Sequence, residues 1–349
     1  MRLLNDRTKH MNRFSSHPGK KTSVLVLGVA LLAAGAAMAA DVRSTVKVEA
    51  LDTRFAALVQ PDAQAHLLTA DAQWAEGPLC LPDGGVIWSD VKANKVMSWK
   101  EQGGVSTLLD PAHYQNGRAR DSKGHIVAAS HGERAIVRQE PDGQWRTLVD
   151  RYQGKRLNSP NDVVVDDRGG IWFSDPTFGV LNEAESYGSK PEQGREYLYH
   201  YDPERDTLTR LDTPGLHSPN GLAFSPDKHL LYVADSQLAH DFKNSKLAHR
   251  IMVYEVRDGA LSAGRVFADI APGIPDGVKV DAQGNVWSSS KEGVQVFSAK
   301  GDLLGRLKVD AEDTGNLAFC STGSQHWVYI TAANKVLRVP VLVAGSQRP

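Results

Sequence analysis

Ser218 to Asp235 reads Ser-Pro-Asn-Gly-Leu-Ala-Phe-Ser-Pro-Asp-Lys-His-Leu-Leu-Tyr-Val-Ala-Asp, and it decides the fold. Two short β-prone runs, Leu222-Ala223-Phe224 and Leu230-Leu231-Tyr232-Val233, are bracketed by Pro219-Asn220-Gly221 and by Ser225-Pro226-Asp227-Lys228. Both brackets read as turns, so the stretch predicts a β-hairpin. The chain repeats this pattern, usually with an amide or an acid at its head. The heads are Glu76, Asn116, Asn161, Asn220 and Asp276, with a more worn copy at Gly315, spaced by 40, 45, 59, 56 and 39 residues.

Each copy is followed by further strand-like runs, such as Lys95–Trp99 and then Thr107–Leu109, or Arg134–Arg138 and then Thr147–Val149. Four short strands per unit of about 40 residues is the blade of a β-propeller. The fold expected is therefore all-β, a six-bladed β-propeller with four antiparallel strands per blade and a central metal site. A two-sheet sandwich would not explain the sixfold repeat. The two longest intervals hold polar stretches at 182–195 and 237–249, read as long loops over one face of the ring.

Residues 1–39 read as a signal peptide. Arg2, Arg7, Lys9, Arg13, Lys20 and Lys21 precede the unbroken apolar run Val24–Ala34, and Ala37-Met38-Ala39 fits a cleavage site. The apolar run is too short to span a bilayer, which takes about 20 residues. Residues 40–72 then form an N-terminal extension, a tail packed outside or a closing strand, and 73–349 a single propeller. Localisation is expected to be periplasmic or secreted, with no stable membrane anchor after cleavage. The remaining chain carries 34 basic and 40 acidic residues, a formal charge of −6, and has no basic cluster. That argues against nucleic acid or anionic membrane as a partner. Cys80 and Cys320 are the only cysteines, each inside a short apolar run, and are read as two buried free thiols although export would permit a bridge.

In a propeller the residue heading each innermost strand projects into the mouth of the central channel. Glu76, Asn116, Asn161, Asn220 and Asp276 would then converge on one axis, all with oxygen donors. That is the chemistry of a hard cation. Asn-Gly and Asp-Gly also make ordinary turns, but Glu76 does not fit that reading and five heads in register fit it poorly. Gly-x-Ser-x-Gly and Cys/His zinc spacings are both absent, which favours oxygen-ligated metal chemistry over a covalent nucleophile.

These residues also carry a resemblance. Ala75-Glu-Gly-Pro78, Ser159–Asp166, Ile171–Pro176, Ser218–Asp227 and Pro275-Asp-Gly-Val278, in this order, resemble the signatures of the gluconolactonase/regucalcin (senescence marker protein) family, and most closely its bacterial secreted members. The resemblance spans Gln73 to Val339. It implies a six-bladed propeller with one divalent cation in the channel, Ca²⁺ as the expected ion and Zn²⁺, Mn²⁺ or Mg²⁺ as alternatives. It implies hydrolysis of a small-molecule sugar lactone of the gluconolactone type. Its metal ligands fall on Glu76, Asn161, Asn220 and Asp276, with Asp276 favoured as the catalytic base. Asn116, His131, Asn161, Asp162 and Asp175 are the expected substrate-side residues. His131 would line the channel face, the alternative being a surface-loop histidine. The family's animal members carry an arginine where this chain has Ser159, a departure that bears on substrate identity. The competing readings are a metal-dependent aryl-ester or organophosphate hydrolase, and a non-catalytic binding propeller with structural calcium.

Overall fold

The computed structural model describes residues 46–346 apart from Ala263; the expected signal peptide lies outside the described residues. The described chain forms six antiparallel blades around one axis, a six-bladed β-propeller. Blade 1 comprises Ala75–Cys80, Val86–Asp90, Lys95–Lys100 and Gly104–Leu109, and blade 2 comprises Gln115–Arg120, Ile126–Ser130, Ala135–Gln139 and Trp145–Val149. Blade 3 is Val163–Val165, Ile171–Asp175, Tyr197–Asp202 and Thr207–Arg210; blade 4 is Pro219–Phe224, Leu230–Asp235, Arg250–Arg257 and Arg265–Asp269. Blade 5 runs Val278–Val280, Val286–Ser290, Gly293–Phe297 and Leu303–Val309, and Val46–Ala50 adds a fifth, outermost strand antiparallel to the last of these. Blade 6 takes Asn316–Thr322, Gln325–Ala332 and Lys335–Val341 from the C-terminal end and completes its sheet with His66–Thr69. The Ser218–Asp235 stretch is the hairpin expected, Leu222 opposite Val233 and Phe224 opposite Leu231.

The second strand of each blade lies between two neighbours and against the adjacent blades, so it is buried on both faces. Val86–Asp90, Ile171–Asp175 and Val286–Ser290 are accordingly buried throughout. Their tryptophans Trp88, Trp172 and Trp287 are among the largest fully buried side chains. They fill the wedges between blades. Trp172 meets Phe224 of blade 4 edge-on at 5.6 Å, and Trp287 meets Phe319 of blade 6 at 5.2 Å. Such edge contacts add to the area buried by the rings themselves.

One expectation is overturned. Cys80 and Cys320 form a disulfide, with their Cα atoms 5.3 Å apart. They lie 240 residues apart in sequence, one on the innermost strand of blade 1 and the other on that of blade 6. Closing the ring makes those strands neighbours, which separation along the chain conceals.

Candidate active site

The six heads stand at the starts of the innermost strands, and these strands touch in sequence order around the ring. In blades 1, 2 and 4 the pairing register slips at the head, between Glu76 and Leu79, Gln115 and Arg118, and Pro219 and Leu222. An irregularity of this kind bends the strand and re-aims a side chain. Pro219-Asn220-Gly221 is thus part of the strand Pro219–Phe224 and not a turn ahead of it. A slipped strand and a turn use the same residue types, so the sequence alone reads as a turn.

The glycine after the head serves close approach. Gly117 donates its amide to the Asn161 carbonyl at 2.8 Å, and Gly221 does the same to Asp276 at 2.9 Å. A Cβ at Gly221 would stand 2.2 Å from that carbonyl oxygen, a distance no side chain tolerates. In blade 6 the head itself is Gly315, and the space its missing side chain leaves is taken by Glu76, whose Oε1 would lie 2.2 Å from a Cβ there. Hydroxyls on the second strands fix the heads from behind. Ser89 Oγ donates to the Asn116 carbonyl at 3.0 Å, and the Asp276 amide donates to Ser289 Oγ at 3.0 Å.

Glu76, Asn116, Asn161 and Asn220 are buried, while Asp276 keeps partial access to solvent. Glu76 Oε2 accepts from the Gly77 amide at 2.5 Å and from Asn316 Nδ2 at 3.1 Å, whereas its Oε1 has no partner. The Asn220 side chain favours the charged form of Asp276, and Asn220 Oδ1 is likewise unpartnered, as is Asn116 Oδ1. Burial pushes the Glu76 carboxyl up to about 7. It raises Asp276 well above the ordinary carboxylate range, with the negative charges of Glu76, Asp162 and Glu185 adding to the effect. Bare buried oxygens beside two carboxyls that resist ionisation form a poor resting arrangement for a protein interior. A hard divalent cation would satisfy both the oxygens and the charge, and the donor set is all oxygen. Among the described residues no three His, Cys, Asp or Glu side chains gather into a group able to hold a metal. Any ion here would therefore be held by the mixed set of Glu76, Asp276 and the asparagine oxygens.

A pH effect follows. Both folded-state carboxyls titrate above their unfolded values, so protonation stabilises the fold. That stability is complete below the ordinary carboxylate range and is lost for Glu76 as pH rises through about 7. The chelator-treated protein is expected to melt several degrees higher at pH 5.5 than at pH 8, and Glu76→Gln to shrink that difference. Equal slopes for the two proteins in a thermal melt series would refute this.

The remaining expected residues take different positions. Asp162 Oδ1 accepts the Val163 amide at 2.9 Å, and its Oδ2 pairs with Lys279 Nζ at 3.3 Å. His131 is buried, not a surface-loop residue, and its Nε2 lies 3.3 Å from Asn116 Nδ2. Burial pushes the imidazole down to about 4, so it is neutral. Asp175 is buried: its Oδ2 accepts the Asn158 amide at 2.8 Å, its Oδ1 has no partner, and burial pushes the carboxyl up to about 8. Asp90 and Asp235 bind the loops of their own blades in the same way, through Trp74 and Ser218 amides at 3.0 Å each. Ser159 is buried and donates to the Pro176 carbonyl at 2.7 Å, so its hydroxyl is committed.

Phe178 and Glu196, which flank the first long loop, meet His240 of the second. Phe178 stacks on His240 with centroids 4.9 Å apart, and His240 Nε2 lies 3.1 Å from Ser218 Oγ and 3.2 Å from Glu196 Oε1. Trp74 lies under Lys92 Nζ at 4.3 Å, while Tyr187 is largely exposed beside Tyr114.

Three channel residues escaped sequence reasoning: Arg118, Lys279 and Asn316. Arg118 donates to the Gly77 carbonyl at 2.7 Å and to Ser89 Oγ at 2.6 Å. The available signal was positional. The residue after the head is glycine in four copies and polar in two, Asp162 and Asn316, and Lys279 interrupts an otherwise apolar inner strand.

Comparison with known proteins finds relatives that share the fold. The family described as SMP-30/Gluconolactonase/LRE-like region matches residues 74–334. A gluconolactonase of Zymomonas mobilis is 31% identical over 324 residues, 86% of this chain and 87% of that protein. A pentonolactonase of Haloferax volcanii is 27% identical, covering 73% of this chain and 80% of its own length. The solved structure of a Xanthomonas campestris gluconolactonase superposes with a TM-score of 0.77 at 37% identity, covering 84% of this chain and 95% of that one.

Proposed function

The chain belongs to the SMP-30/gluconolactonase/LRE-like family, and from that premise we propose that it hydrolyses the ester bond of a sugar lactone to the open-chain acid at the channel mouth, with a divalent cation held by Glu76, Asn161, Asn220 and Asp276. The observation that carries this reading is the pair of bare buried oxygens, Glu76 Oε1 and Asn220 Oδ1, beside the Asp276 carboxyl. Relatives named gluconolactonase and pentonolactonase support the substrate class.

When bound, a divalent cation supplies Lewis-acid polarisation of the lactone carbonyl and lowers the pKa of a water. The chain supplies the rest. Asp276 is the less buried of the two head acids, and the Asn220 side chain favours its charged form. It takes a proton from the attacking water and returns one to the ring oxygen as the acyl C–O bond breaks, so the reaction consumes one water and yields one hydroxy acid. Asn116, with His131 behind it, and Asp162 bound to Lys279 line the channel beside these groups. The Cys80–Cys320 bridge supports export, the location expected from the signal-like sequence of residues 1–39, since disulfides persist in oxidising compartments.

The test is a pH-indicator screen of sugar lactones, with aryl esters alongside. Acid release is expected to vanish after chelation and to return on adding Ca²⁺, Mn²⁺, Zn²⁺ or Mg²⁺. If no sugar lactone is hydrolysed with any of these ions, the reading fails.

A further inference from the structure

One step deeper along the innermost strands, glycine occupies the position after the head in blades 1, 2, 4 and 5, as Gly77, Gly117, Gly221 and Gly277. The two exceptions, Asp162 of blade 3 and Asn316 of blade 6, stand across the ring from each other. They share a local geometry: Oδ1 accepts the next amide, from Val163 at 2.9 Å and from Leu317 at 2.8 Å. Lys279, reaching in from blade 5, joins them. Its Nζ lies 3.3 Å from Asp162 Oδ2 and 3.3 Å from Asn316 Oδ1.

This arrangement fixes which way the Asn316 amide faces. Its Oδ1 has two donors, the Leu317 N–H and the Lys279 ammonium, neither of which can accept a hydrogen bond. The amide nitrogen must therefore point the other way, and it donates to Glu76 Oε2 at 3.1 Å. The Gly77 amide donates to the same oxygen at 2.5 Å. Two donors hold Oε2, and Oε1 is left bare against Gly315. We propose that Lys279 and Asn316 are positioning residues that lock the Glu76 carboxylate by one oxygen so that the other is presented to a divalent cation. The inference rests on the metal reading above. It adds to that reading a residue pair that touches neither ion nor substrate. Groups that orient a metal ligand in this way typically contribute about 10- to 100-fold in metal affinity.

Calorimetric titration of Ca²⁺ and of Mn²⁺ into the chelator-treated full chain tests it, with the metal-free melting temperature measured alongside. Asn316→Leu and Lys279→Met are expected to bind about 10- to 100-fold more weakly than wild type, with Lys279→Arg recovering part of the loss; metal-free melting is expected to fall for Lys279→Met, which leaves the buried Asp162 carboxylate without its ammonium. Lys279→Met keeps a long apolar stem and carries the test if Asn316→Leu does not fold. If Glu76→Gln loses the ion while Asn316→Leu and Lys279→Met bind as wild type, the positioning role is wrong and the metal reading stands. If Lys279→Arg binds no better than Lys279→Met, the ammonium's donor role is wrong. If the wild-type chain binds neither ion, both readings fall.

Discussion

Replacing Asp276 by Asn is expected to reduce lactone hydrolysis by about 10³- to 10⁴-fold while leaving the metal-free melting temperature unchanged or higher at pH 7. The two halves of that result have one origin. Asp276 is the less buried of the two head acids, and it faces the negative charges of Glu76, Asp162 and Glu185. A positioned base contributes about 10²- to 10⁴-fold, and loss of a charged metal ligand adds to that. In the metal-free protein the same carboxylate is a liability. Its folded-state pKa lies above the unfolded value, so ionisation at neutral pH opposes folding. A neutral amide of nearly the same shape removes that opposition. Steady-state kinetics and thermal melts on one preparation decide the matter. Activity within tenfold of wild type would remove Asp276 from the chemistry. A melting temperature that collapses together with activity would make the residue structural.

The second large effect concerns ring closure. Cys80→Ser with Cys320→Ser is expected to lower the melting temperature by about 10 °C. The bridge spans 240 residues, so in the chain-entropy picture it restricts the unfolded chain by roughly 5 kcal/mol. At about 2 °C per kcal/mol, the low end that suits a domain this large, that is a shift of about 10 °C. His66–Thr69 still closes blade 6 from the outside, so the variant is expected to fold, with its innermost strands no longer joined at the blade 6 to blade 1 seam. A shift under about 2 °C in a calorimetric melt would show that strand pairing alone closes the ring.

The propeller was legible because its signal is local and repeated. Each copy of the Ser218–Asp235 pattern states its own hairpin, and six copies leave one architecture. The head residues were legible for the same reason, since a repeat makes Glu76, Asn161, Asn220 and Asp276 equivalent without any knowledge of distance. Asp175 shows where that reasoning weakens. It shares its place in the repeat with Asp90 and Asp235, and the structure has all three holding backbone amides of their own blades. Sequence position could not distinguish an acid facing the channel from an acid facing the chain.

The number of blades, the strand pattern within each and the residue type at every head can be read along the chain, because all three depend on neighbours within one repeat. Tertiary structure alone decided what those heads meet. The Cys80–Cys320 bridge, the bare Oε1 of Glu76 in the space left by Gly315, and the Lys279 ammonium between Asp162 and Asn316 each join residues of different blades. Such contacts exist only once the ring is closed, and their partners are separated by too much chain for any local pattern to record them.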